Sequence, residues 1–409
     1  MSEYIPIEIQ GEILKRLPVK PLVQFRSVSK SWKSLIDSPD FIVSYGVRHP
    51  HPERFILRYA DPVYRLDYPE ECKYISLVDN DDHSLVQQDL IPTVPGLINA
   101  LGPESNVVGS SKGLLCLFKV YPEYPNGHPS KRRGIDMVYL WNPSIRKSIC
   151  IQVPYISNEN FGNNRLDGVI GFGVCPASLD PTVLKIKYNY SEQNIKDMPG
   201  INVPWKVGVF TLSTGSWSIL STNLPCESIR LRGSQVVIDR FIYWVAYDLL
   251  DAEDGRFLIM SFDLTTKEFK AINLTDSLTI RLSSIQSISK LHDSLVLLEY
   301  QTEFVSLCCW CVWMMEEQGD SRLFTKLYSI NLPNATIHQI LGFRKIGELI
   351  LETREEFEQH ADIQIYKQNY EYTDNLGIDG EPYMFFMCSY METLLLLDQS
   401  TGYIYSNNM

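Results

Sequence analysis

A strand, a tight polar turn and a second strand recur along most of this chain at a nearly constant interval, and that interval limits the folds open to it. The device is clear at residues 138–147, 207–217 and 258–269, weaker at 309–327 and weakest at 363–366. With Trp141, Phe210, Phe262, Val312 and Ile365 as markers, the steps are 69, 52, 50 and 53 residues. A β unit of this size matches a four-stranded propeller blade, which cannot bury both of its faces alone and stacks with others in a ring. The long first step accommodates loops at 158–167 and 189–202. A further β-rich stretch at 55–78 brings the expected count to about six blades. The apolar run at 391–397 is expected to close the ring beside early strands, so that no long edge stays unpaired. The competing arrangement is a β-sandwich followed by separate β modules.

The first 45 residues follow another rule. Ile9, Ile13, Leu14 and Leu17 fall at i, i+4, i+5 and i+8, the stripe of an amphipathic helix. Pro6 sits where a first-turn proline is tolerated, and Pro18 is expected to end this helix because it lacks the backbone donor. Pro21 is expected to open a second short helix with Leu22, Val23 and Phe25. Ser29 is the expected N-cap of a third, lined by Trp32, Leu35 and Ile36. Ser38-Pro39 stops it, and Asp40 is the expected cap of a last turn through Phe41 and Val43. Gly11 inside the first helix carries a penalty of roughly 1 kcal/mol relative to alanine. So small a unit buries too little of its own surface to stand alone. Its apolar face therefore packs on the rest of the chain or on another protein.

The order and spacing of Ile5-Pro6-Ile7-Glu8-Ile9, Ile13-Leu14, Leu17-Pro18, Pro21-Leu22, Phe25, Val28-Ser29, Trp32, Leu35-Ile36 and Pro39-Asp40-Phe41 resemble an F-box. Residues 109–117, 140–147, 171–173, 209–219, 261–264 and 341–343 are similar to the F-box-associated (kelch-like) pattern of plant F-box proteins. Ser29 departs from that family, many of whose members have cysteine there. The resemblance implies a mainly β protein. A small all-α F-box unit (residues 1–45) and a linker (46–54) precede a β-propeller-like substrate-recognition domain (55–409). It also implies that the helical unit binds a Skp-type adaptor and, through it, a cullin ubiquitin ligase. Carried over by position, the adaptor-facing residues are Ile5, Pro6, Ile9, Ile13, Leu14, Leu17, Pro18, Leu22, Val28, Ser29, Trp32 and Leu35. The family fixes no substrate.

Charge and composition narrow the partners. The net charge of −12 does not come from the front, where residues 1–46 carry six basic and five acidic side chains, so the β region is acidic. Such a surface argues against generic nucleic-acid binding, which needs cations to displace counterions. No stretch approaches the roughly 18 apolar residues of a membrane helix, and no signal-peptide-like run begins the sequence. Nine cysteines, an odd number without a paired framework, fit a reducing compartment, cytoplasmic or nuclear.

The chemistry of an enzyme is missing from the motifs. Gly109-Ser110-Ser111-Lys112-Gly113 fits Gly-x-Ser-x-Gly by letter but reads as a turn into a buried-type strand, and the sequence lacks a phosphate-cradling glycine loop and a His-Glu-x-x-His pair. Asp79, Asp81 and Asp82 read as a solvated acidic turn, and His49 and His51 lack companion ligands. Cys309 and Cys311 share one face of an apolar strand and read as buried structural thiols, so neither metal nor cofactor is expected. Two stretches are candidate recognition surfaces. Residues 348–381 hold ten acidic side chains against Arg354 and Lys367, and residues 121–134 are rich in proline and aromatics and end in Lys131-Arg132-Arg133 and Gly134. The expected function is that of a non-catalytic substrate receptor of a Skp–cullin–F-box ligase. The alternatives are an F-box scaffold without ubiquitylation, and a propeller that binds a small ligand or acts as an enzyme.

Overall fold

The structure is a computed structural model. It describes residues 5–48, 53–61, 72–80, 84–88, 97, 102, 105–122, 134–155, 168–190, 192–197, 203–250, 256–274, 285–302, 308–318, 321–333, 335–355, 358–368, 372–400 and 404–405. His49, His51, Asp81, Asp82 and Lys131–Arg133, singled out above, lie outside the described residues.

Four short helices open the chain: α1 (Ile7–Leu14), α2 (Val19–Phe25), α3 (Lys30–Ile36) and α4 (Pro39–Arg48). Pro6 is the N-cap residue of α1, where its missing N–H goes unneeded. Pro18 begins α2 and does not terminate α1, which ends at Leu14 in a tighter turn through Leu17. Ser29 caps α3, its Oγ accepting from the Trp32 N–H at 3.1 Å. The cap of α4 is Ser38, whose Oγ accepts from the Phe41 N–H at 3.3 Å. Asp40 instead sits in the first helical turn, where its charge favours the N-terminal end of the dipole. The helices are braced by the Arg26–Asp37 fork at 2.5 and 2.8 Å and by Tyr45 Oη donating to the Leu17 carbonyl at 2.9 Å.

Six antiparallel sheets follow, and the first strands of neighbouring sheets touch, as in a propeller. Blade 1 has the order Phe386–Tyr390, Glu53–Ala60, Cys72–Asp79, Leu85–Gln88. Blade 2 runs Asn106–Ser111, Leu114–Pro122, Gly134–Asn142, Lys147–Gln152, with Ile404–Tyr405 added in parallel at its outer edge. Blade 3 is Gly168–Val174, Pro181–Lys187, Lys206–Thr211, Ser216–Leu220. Blade 4 is Ile229–Ile238, Phe241–Asp248, Arg256–Asp263, Phe269–Asn273. Blades 5 and 6 begin with Ile285–Leu291 and Ala335–Phe343 and end with Ser321–Ile330 and Tyr372–Gly380. All five sequence markers fall on third strands, those of blades 2 to 6, so the near-50-residue interval is the blade repeat. The long first step holds, in part, a short helix, α5 (Glu192–Asp197), where only loop was expected.

The ring is closed by Phe386–Tyr390, which supplies the innermost strand of blade 1 and pairs Ile56 with Cys388. Residues 391–397, the expected closing strand, form no strand. Leu394–Leu397 turn instead, with Leu396 at φ +70°, and are buried. Four consecutive leucines lack the alternation of a half-buried strand, and here they plug a core. Closure is tightened between blades 1 and 6, where the buried Arg344 guanidinium donates to Asp79 at 2.6 and 3.2 Å and the Lys345 N–H donates to it at 3.0 Å. Asp79 is therefore a blade-to-blade clamp and no part of a solvated turn.

Candidate functional site

Antiparallel meandering gives the ring two unlike ends. The turns after first and third strands lie at one end and are tight, as at Lys112-Gly113, where both residues have positive φ. Second strands end and third strands begin at the other end, and there the two strands are separated by 11 residues in blade 2 and 18 in blade 3. The helical unit sits at the tight-turn end. The chain enters blade 1 there at Glu53 and leaves it there after Tyr390. A single apolar core joins Leu14, Val19, Leu22, Ile36, Phe41, Ile42 and Tyr45 to Leu394–Leu397 and to blades 2 and 3. Polar groups fix the joint. Asn142 Nδ2 donates to the carbonyls of Thr393 and Leu395 at 3.0 and 2.7 Å, and Lys147 Nζ donates to those of Leu397 and Gln399 at 2.5 and 2.6 Å. Gly113 is obligatory here, because a Cβ would lie 2.3 Å from the Met391 carbonyl oxygen.

Docking on its own propeller leaves part of the helical unit bare. Ile5, Ile9 and Ile13 remain 50, 54 and 51% exposed, and Val28 is 63% exposed. Pro6, Pro18 and Ser29 are also exposed. Leu17, Trp32 and Leu35 are half-buried at the margin. Trp32 is held by its Nε1–H, which donates to Gln10 Oε1 at 2.6 Å, and by an edge-on contact with Phe25 at 5.4 Å. Two residues expected to face an adaptor do not. Leu14 and Leu22 are 3 and 0% exposed, because they form the core on which the helices and the propeller meet. Val43, named in the sequence only as part of the last turn, is 38% exposed on α4.

Both stretches singled out for recognition touch the long-loop end, opposite the helices. The ends of the first, Tyr121, Pro122 and Gly134, are described, whereas residues 123–133 are not. In the second, Glu348 pairs with Arg344 at 2.6 Å and Glu352 is fully buried, accepting from Gln339 Nε2 and the Tyr383 N–H. These two carboxylates serve the fold. Asp362 and Asp379 are paired across strands, and burial, their mutual hydrogen bond and the nearby Glu355 and Glu358 push Asp362 up to about 6. The chain just after the second strand of blade 3 is tied to Glu227, whose buried carboxylate accepts from the Asn189 and Tyr190 N–H groups at 2.8 and 3.0 Å. Cys311 is buried with its Sγ 3.6 Å from Ser329 Oγ, while Cys309 is half-buried. Among the described residues, no group of three ligating side chains is placed to hold a metal ion.

A helical unit with an open apolar face, fixed to one end of a six-bladed propeller, defines a two-part helical and β-propeller protein. The family model of the F-box domain matches residues 3–44 and that of the F-box associated beta propeller domain matches residues 131–396, and the chain belongs to the F-box proteins that carry this propeller. Relatives in Arabidopsis thaliana include the putative F-box protein At3g16210, 28% identical over 67% of this chain and 61% of its own length. F-box protein CPR1 is 25% identical over 81% of this chain and 74% of its own length. The chain thus spans less than two thirds of the first of these. Solved propellers are remote: the β-propeller domain of the Trilobed protease from Pyrococcus furiosus is 12% identical over 65% of this chain and 69% of its own, at a TM-score of 0.36.

Proposed function

We propose that this protein is a non-catalytic substrate receptor of a Skp–cullin–F-box ubiquitin ligase. The observation that carries the reading is the bare patch of Ile5, Pro6, Ile9, Ile13 and Val28 on a helical unit whose opposite side is already sealed to the propeller. Exposed apolar surface on an otherwise packed unit marks an interface, and a Skp-type adaptor is the partner expected for an F-box. Leu17, Pro18, Ser29, Trp32 and Leu35 form its margin. The propeller then presents its long-loop end to a target protein, on the far side from the adaptor. Its work is positioning: a target held by the loops sits at high effective concentration near the ubiquitin carried by the cullin. The buried thiols Cys116, Cys150 and Cys311 fit a reducing compartment, and we place the protein in the cytoplasm or nucleus.

The test is reconstitution. The full chain mixed with a Skp-type adaptor and a cullin is expected to elute as one complex and to support ubiquitin transfer to material captured by the propeller. A chain that binds neither adaptor nor cullin defeats the reading, and one that binds adaptor but never recruits cullin reduces it to a scaffold.

A further inference from the structure

Among the apolar residues of the helical unit stands a polar side chain that neither the core nor the bare patch accounts for. Gln10 lies on α1 at the border between the inward residues Gly11 and Leu14 and the outward residues Ile9 and Ile13, and it is half-buried. Its Oε1 accepts from the Nε1–H of Trp32 at 2.6 Å, across the gap from α1 to α3. Its Nε2 donates to the carbonyl of Ile5 at 2.6 Å, back past the N-cap residue Pro6. A single amide thus ties Ile5, which leads the bare patch, to Trp32 at its margin.

These partners dictate the residue type. An indole nitrogen only donates and a peptide carbonyl only accepts, so the group between them must accept on one side and donate on the other. A glutamine amide does both, and its partners also settle which end carries the oxygen. An ionised glutamate keeps the acceptor and loses the donor. Methionine, close to glutamine in length and in helix propensity, offers neither bond. A role in folding alone leaves half of the arrangement unexplained, because Ile5 is exposed and adds nothing to the core. Holding an exposed segment and a large ring in place matters to a partner, which then does not meet the cost of ordering them on binding. Tryptophan is also a residue on which interface affinity commonly concentrates.

We propose that Gln10 is a positioning residue of the adaptor interface, holding the Ile5 segment and the Trp32 ring in the arrangement that the adaptor meets. The inference rests on the receptor reading, since it concerns the same face of the helical unit.

The test is titration of the full chain and its variants with a Skp-type adaptor. Gln10→Met is expected to weaken binding about tenfold, and Gln10→Glu, which keeps the bond to Trp32, only about threefold. Trp32→Phe keeps an aromatic ring and removes the indole N–H. In that background Gln10→Met is expected to cost only about threefold, because the bond to the ring is already gone. A spectroscopic signal separates positioning from bulk stability. In chain labelled at tryptophan, the Trp32 indole N–H resonance, assigned by its loss in Trp32→Phe, is expected to move and to exchange faster with solvent in Gln10→Met but not in Gln10→Glu. Affinity within about twofold of the unmodified chain in both Gln10 variants, additive costs in the cycle, or an unmoved indole resonance overturns the proposal. Unfolding of the Gln10→Met chain, checked by thermal denaturation, overturns it as well, because the residue then holds the fold. The unmodified chain is the control: its failure to bind adaptor sinks the receptor reading and this inference with it, whereas normal binding by every variant sinks this inference alone.

Discussion

Replacing Ile9 and Ile13 by alanine separates adaptor binding from folding, because both side chains project from α1 into solvent. Each is about half exposed, at 54 and 51%. Full burial of an isoleucine is worth about 1.5–3 kcal/mol, so an adaptor that covers the exposed half gains roughly 0.8–1.5 kcal/mol from each. Losing both removes about 1.5–3 kcal/mol of binding, or roughly 13- to 150-fold in affinity. Folding is not weakened in parallel, since alanine is the better helix former and little buried surface is lost. Leu14→Ala is the control with the opposite signature. Leu14 is 3% exposed in the core shared with the propeller, and its truncation is expected to lower stability by about 2–5 kcal/mol. The assay is titration calorimetry of each full-length variant against a Skp-type adaptor, with thermal unfolding of the same samples. If the double variant keeps its affinity within about threefold of the unmodified chain, the exposed stripe is not the interface and the docking argument fails. If it unfolds instead, the stripe belongs to the core and does not face solvent.

Two glycines carry opposite expectations. A Cβ on Gly11 meets Leu35 Cδ2 at 3.6 Å, an ordinary contact, so Gly11→Ala is expected to stabilise the helical unit by about 0.5–1 kcal/mol in denaturant titration. Gly113→Ala places its Cβ against the Met391 carbonyl at φ +79°, so it is expected to destabilise by more than about 2 kcal/mol. Protection from hydrogen exchange in residues 391–397 should fall with it. Asp362 sets a pH dependence. Its carboxyl titrates at about 6 when folded and at 3.8 ordinarily, so the folded chain holds a proton that the unfolded chain releases across that window. The stability it contributes is present below pH 3.8 and is lost as pH rises through about 6. Asp362→Asn is therefore expected to raise stability at pH 7.5 by about 1 kcal/mol after allowance for solvent screening, and to change nothing near pH 3.5. An equal gain at both pH values would show that the charge is not the cause.

What the sequence determined by itself was local in origin. Alternating apolar residues and polar turns marked the third strands of five blades, and the interval between them fixed the blade repeat. Serine and proline at helix starts placed α1 to α4 within a few residues, because capping and ring constraints act over one turn. Apolar stripes named the residues able to bury. Which of those residues are buried was decided by tertiary structure, since Leu14 and Leu22 meet the propeller while Ile9 and Ile13 on the same helical unit do not. Ring closure was likewise settled at a distance: Ile56 pairs with Cys388, and the leucine run beyond becomes a plug. A strand run and a plug look alike in composition, and only the available partner separates them. Asp79 teaches the same lesson for charge. It is clamped by an arginine from the last blade, a neighbour that spacing along the chain does not reveal.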